Sequence, residues 1–155
     1  MNDFSDLLRP DGVRKDVAAA NKKALLQQLG GIAGEMAGVD PRQVIERVAA
    51  REKLGSTGFG GGVAIPHAKL PGLPKVNGVF VRLAHPIDFA AVDGLPVDLV
   101  FLLLSPEGAG AEHLKALARV SRRLRDRAFL TKLRGAGSPD ALYALFTADE
   151  ARDAA

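Results

Sequence analysis

The run Val97-Asp98-Leu99-Val100-Phe101-Leu102-Leu103-Leu104 constrains the fold most, because only Asp98 interrupts an otherwise apolar stretch. Successive side chains of a strand point to opposite faces, so such a run calls for a central strand covered on both sides. Ser105-Pro106 ends it. Val76 to Leu83 alternates instead, with Val79, Val81 and Leu83 on one face and Phe80 and Arg82 on the other, which predicts a second strand. His85-Pro86 breaks that run, Ile87-Asp88-Phe89 reads as a further short strand, and Asp93-Gly94 is a turn signal.

Helical spacing surrounds these strands. From about Arg14 to Met36 the positions Val17, Ala20, Ala24, Leu25, Leu29, Ile32 and Met36 recur at three- and four-residue intervals, predicting one amphipathic helix. Gly30 and Gly31 weaken its second half, by about 1 kcal/mol each relative to alanine. Asp40-Pro41-Arg42-Gln43 is a helix start, with Asp40 as cap, Pro41 at the first helical position and Gln43 completing a capping box. Val44, Val48 and Arg51 share one line of that helix. Residues 111–126 form the clearest helix, with His113, Leu117, Val120 and Leu124 on the inward line, Leu114 beside them, and Lys115, Arg119, Arg122 and Arg123 opposite. Ala128 to Leu133 continues helically, and Ser138-Pro139-Asp140 caps a last helix carrying Leu142, Leu145 and Phe146. Phe4, Leu7 and Leu8 are candidate anchors at the start, and the polar tail from Thr147 is expected to fray.

The 155 residues read as a single domain, with a core over about 6–147. There is no cysteine, which removes disulfides and thiolate chemistry together. No apolar run of membrane-spanning length and no secretory leader is read, so a cytoplasmic location without membrane insertion is expected. The net charge of +3 comes without a helix-turn-helix, zinc finger or aromatic-interleaved strand, so no nucleic-acid partner is expected.

The chemistry concentrates between Arg51 and His67, R-E-K-L-G-S-T-G-F-G-G-G-V-A-I-P-H, with glycines at 55, 58, 60, 61 and 62. Glycine lets main-chain N–H groups approach a ligand, and successive N–H groups in a turn favour anions. Gly55 to Gly62 is expected as a loop, Val63-Ala64-Ile65 as a short extended segment, and Pro66 forces Ile65 out of helical angles. Ser56 and Thr57 add hydroxyls, which either stabilise the turn or contact phosphate. Arg51 offers a fixed cation that serves the helix terminus or a bound anion. His67 is the group able to act as a nucleophile near neutral pH. A nucleotide-binding loop does not fit: no Gly-Lys-Ser/Thr follows the glycines, and Val63 stands where a dinucleotide loop needs its third glycine. None of the three histidines is paired with another ligand at metal-site spacing, so no metal is expected. No cofactor is called for, and a small-molecule hydrolase is disfavoured because no carboxylate pair or serine elbow accompanies His67.

This signature, together with Gly94-Leu95-Pro96-Val97-Asp98-Leu99-Val100-Phe101, resembles enzyme IIA of the fructose/mannitol type in the bacterial sugar phosphotransferase system, above all its nitrogen-related branch. The resemblance implies an α/β fold, a mixed sheet of about four to five strands sandwiched between helices with the histidine at one sheet edge. It implies a phosphoryl carrier in which His67 accepts a phosphoryl group from HPr or its nitrogen-branch paralogue. It further implies that Arg51 neutralises that group and that His113 assists. A regulatory module acting on a kinase, transporter or transcription partner is the alternative it leaves open. Phe59, Gly61-Gly62 and Ala68 depart from the pattern of close relatives and bear on loop shape and partner preference.

Overall fold

A computed structural model describes residues 4–148. After a short 3-10 turn at Pro10–Gly12, the elements are β1 (Val13–Val17), α1 (Lys22–Ala37), α2 (Pro41–Lys53), β2 (Gly58–Gly60), β3 (Val63–Ala64), β4 (His67–Leu70), β5 (Asn77–Ile87), β6 (Val97–Pro106), α3 (Gly110–Leu124), α4 (Arg127–Gly135) and α5 (Pro139–Thr147). The sheet runs β1-β5-β6-β3-β2, and β4 also pairs with β6. Antiparallel β5 and β6 form its middle, β1 adds parallel to β5, and β3 and β4 add parallel to β6.

Both faces of the middle strands are covered, as the apolar run requires. Val79, Val81, Leu83, Val100, Leu102 and Leu104 pack with Leu25, Leu29, Val44 and Val48 of α1 and α2. Phe80, Leu99, Phe101 and Leu103 pack with Val120, Leu124, Phe129, Leu133 and Phe146 of α3, α4 and α5. Phe4, Leu7 and Leu8 join this second layer, as expected of anchors. Arg82, on the same face as Phe80, reaches the layer's edge and donates to the carbonyls of Leu133 and Ala136 at 2.8 and 2.7 Å.

The sheet has six strands: to the expected segment at Val63 and the two middle strands it adds β1, β2 and β4, of five, three and four residues, the last two too short for periodicity to register. The first helix is also shorter than its spacing suggests. Val13–Val17 is a strand, and α1 starts only after Asn21, whose side chain accepts from Ala24 N–H at 2.8 Å. His85-Pro86 does not break β5. Proline is tolerated there because the ladder to β6 has no matched pair between Arg82 and Ile87, so no N–H is missed. Leu114 leaves the core altogether, at 66% exposed.

Helix starts follow their side chains. Asp40 accepts from Arg42 N–H, Ser138 from Ala141 N–H, and Asp126 from Ala128 and Phe129 N–H, which separates α4 from α3. A β-carbon at Gly30 would stand 2.7 Å from Ile45 Cγ1, so this glycine lets α1 and α2 close on each other.

Candidate functional site

The glycines of the signature do not form an open cradle of amides. Gly58–Gly60 runs out as β2, the chain turns at Gly61-Gly62 with φ of 69° and 82°, and it returns as β3. Two consecutive left-handed residues suit the tightest hairpin turn, which is where the glycines' freedom goes. A side chain at Gly62 would also strike Arg134 Nη2, 2.5 Å from an added β-carbon, where Arg134 pairs with Asp98. Several amides of the stretch are bonded within the protein. Thr57 N–H donates to Glu52 Oε1 at 3.1 Å, Gly58 N–H to Ser56 Oγ at 3.1 Å and Gly61 N–H to Asp93 Oδ2 at 3.0 Å.

What the stretch delivers is His67. β3 and β4 lie end to end along β6, Val63 opposite Leu99 and His67 opposite Leu103. Between them Pro66 has no N–H to offer, and its carbonyl accepts from Leu103 N–H at 3.0 Å. His67 therefore opens β4 half-buried, with Nδ1 2.8 Å from the carbonyl of Ile65. A carbonyl only accepts, so Nδ1 carries the proton and the lone pair lies on Nε2. Burial lowers the pKa of this imidazole, the Ile65 hydrogen bond opposes that, the Arg51 charge lowers it further and Glu52 raises it. With its pKa below the ordinary 6.5, the ring is mostly uncharged at neutral pH.

His113 comes to it from α3, with ring centroids 5.5 Å apart. It sits in the first turn, 7% exposed, its Nδ1 2.6 Å from Oγ of the fully buried Ser105. Burial lowers its pKa too, aided by His67 and Lys69. An open depression of about 580 Å³ is lined by Glu46, Arg47, Ala50 and Arg51 of α2, His67, Ala68 and Lys69 of β4, and His113. Three of the residues singled out in the sequence, Arg51, His67 and His113, thus meet at one surface. Arg51 stands at the last turn of α2, where Nη1 donates to Gly55 O at 2.9 Å.

Ser56 and Thr57 face elsewhere. Ser56 Oγ donates to Phe89 O at 2.7 Å, and Thr57 Oγ1 donates to Glu52 Oε2. Three participants carried no assigned role in the sequence. Arg47 bonds Lys69 O and Glu107 on the depression's rim, at 3.2 and 2.8 Å. Ser105 looked only like a strand end. Glu52 does carry a signal, since it continues the buried line of Val44 and Val48 at four-residue spacing, where a carboxylate needs partners.

The chain is 51% identical over 142 residues to a nitrogen regulatory protein of Bradyrhizobium diazoefficiens, covering 92% of this chain and 93% of that one. It is 40% identical over 148 residues to the nitrogen regulatory protein of Escherichia coli K12, covering 95% and 91%. Among solved structures it superposes on nitrogen regulatory protein IIA-Ntr of Neisseria meningitidis with a TM-score of 0.86 at 35% identity, covering 92% of this chain and 97% of that one. It shares its fold with the mannitol IIA of Escherichia coli, at a TM-score of 0.72, 22% identity and coverage of 87% and 96%. The matching family model, phosphoenolpyruvate-dependent sugar phosphotransferase system EIIA 2, spans residues 6–149, and the chain belongs to that family.

Proposed function

We propose that this chain is a phosphoryl carrier that takes a phosphoryl group from the histidine of HPr, or of its nitrogen-branch paralogue, onto Nε2 of His67. The observation that carries the reading is the hydrogen bond from Nδ1 to Ile65 O, which leaves Nε2 unprotonated in a depression shared with Arg51 and His113. Phosphoryl transfer asks the protein for in-line positioning and charge compensation rather than covalent work. The Nε2 lone pair forms the new N–P bond as the donor's N–P bond breaks, and the donor's imidazole keeps the electron pair of that bond. With both rings holding their second N–H throughout, no proton changes place. The Ile65 carbonyl offsets positive charge on the phosphorylated ring. Ser105 Oγ lies 2.6 Å from Nδ1 of His113; in the tautomer we assign, Nδ1 accepts the Ser105 hydroxyl hydrogen and His113 presents Nε2–H to the phosphoryl oxygens, while Arg51 compensates their charge. Ser56 and Thr57 act through loop shape, since their donors are used internally.

The relatives' name, nitrogen regulatory protein, favours a regulatory output; in our reading it is exerted on a kinase, transporter or transcription partner, with phosphorylation as the switch. In this reading the chain works in the cytoplasm beside its donor. No helix among the described residues is long and apolar enough to cross a membrane.

Incubation with phosphorylated donor should add one acid-labile phosphoryl group. His67→Ala should take none, and His113→Ala should take it about a hundredfold more slowly. Undiminished labelling of the His67 variant would overturn the assignment.

A further inference from the structure

We infer that Glu52 is a positioning residue for the reactive imidazole: acting through Thr57 and Ile65, its carboxylate fixes which nitrogen of His67 is free to react. The inference rests on the proposed role of His67 for its catalytic meaning, though its geometry stands independently.

The connection is a continuous series of hydrogen bonds. Glu52 lies at the C-terminal end of α2 with its side chain 4% exposed. Its carboxylate receives Lys22 Nζ at 2.8 Å, Thr57 N–H at 3.1 Å and Thr57 Oγ1. The carbonyl of Thr57 in turn receives Ile65 N–H at 3.2 Å. The carbonyl of the same Ile65 receives His67 Nδ1–H at 2.8 Å. Each link holds the next acceptor in place, so the last carbonyl in the series is oriented from α2.

Glu52 is suited to anchor such a series because it cannot turn away. A buried carboxylate that loses its donors bears a large desolvation penalty, and these three donors come from two segments, α1 and the loop after α2. Lys22 opens α1 and also lies over the Phe89 ring, 4.2 Å from its centroid. Phe89 O receives Ser56 Oγ, the residue before Thr57. The loop is therefore gripped from α1, from α2 and from the segment after β5. The Glu52 charge also favours a proton on His67, against burial and Arg51. A role confined to stability would need none of the last two links to reach the imidazole.

The test reads the ring directly, by ¹⁵N NMR of histidine-labelled full-length chain, alongside the rate of phosphoryl acceptance from phosphorylated donor. Wild type should show His67 protonated at Nδ1 with Nε2 bare. Glu52→Gln and Thr57→Val should each show a mixture of tautomers at His67, with the His113 signals unmoved and acceptance slowed on the order of tenfold or more. Thr57→Ser, which keeps the hydroxyl, should restore both. Should Glu52→Gln not fold, the Thr57 pair decides. A His67 tautomer identical to wild type in the Thr57→Val chain, whatever its melting temperature, overturns the inference. If the tautomers shift as expected but wild type accepts no phosphoryl group, the positioning series stands and the carrier assignment fails.

Discussion

Burial and titration meet at the two histidines. Desolvation lowers the pKa of both His67 and His113 relative to an exposed imidazole, and cations nearby (Arg51 for the first, Lys69 for the second) act in the same direction. In the unfolded chain each titrates near 6.5, so below about that pH the unfolded state binds more protons than the folded one. The stability contributed by keeping the rings neutral is complete above roughly pH 6.5 and is lost as pH falls through the lowered folded values. Asp93, whose carboxylate is held below its usual value by Leu95 and Gly61 N–H, makes its contribution at more acid pH and does not overlap. Urea midpoints should therefore drop on acidification from about pH 7.5 to 5.5, and a His67→Gln/His113→Gln double variant should lose part of that slope. An identical slope in the double variant would contradict neutral burial of the rings.

Among the elements, the adjacent glycines of α1 show how the same residue type carries opposite weight. Judged by propensity, both weaken the helix equally. Packing separates them: a β-carbon at Gly30 would stand 2.7 Å from Ile45 Cγ1 and 3.0 Å from the Pro41 carbonyl, whereas nothing lies within 4 Å of one at Gly31. Gly30→Ala should therefore destabilise by about 1–3 kcal/mol, since overpacking the seam with α2 outweighs the helix gain. Gly31→Ala should stabilise by up to about 1 kcal/mol. Chemical denaturation of the two variants checks this, and equal effects of the same sign would show the seam to be loose. Because α2 carries Glu46, Arg47, Ala50 and Arg51 to the depression, the Gly30 variant is also the one expected to disturb the site.

For the molecule as a whole, Phe146 is the point where the second layer closes. It is 1% exposed, and its ring meets those of Phe4, Phe80, Phe101 and Phe129 at centroid distances of 5.8, 4.8, 5.8 and 5.2 Å. The main chain ties in as well, since Phe4 N–H donates to Phe146 O at 3.0 Å. One side chain thus joins the start of the chain, both middle strands, α4 and α5. Phe146→Ala should cost about 3–5 kcal/mol, because the surrounding rings cannot collapse into the space left. A loss below about 1 kcal/mol in urea unfolding would mean that this layer repacks freely.

By itself the sequence determined whatever depends on near neighbours in the chain. The two middle strands and their faces, the caps at Asp40 and Ser138, the inward line of α3 and the extended approach to His67 through Pro66 were all legible, because side-chain period and local hydrogen bonding act within a few residues. Tertiary structure decided the rest. It turned the glycines of 58–62 into a hairpin rather than an anion cradle, made Val13–Val17 a strand by offering it the edge of β5, and left Leu114 outside. It also chose the partners of Ser56, Thr57, Glu52 and Ser105. Those choices depend on groups outside the local pattern, Phe89 and Lys22 far away in sequence and His113 on the next element, and nothing local specifies which buried polar atom will meet which.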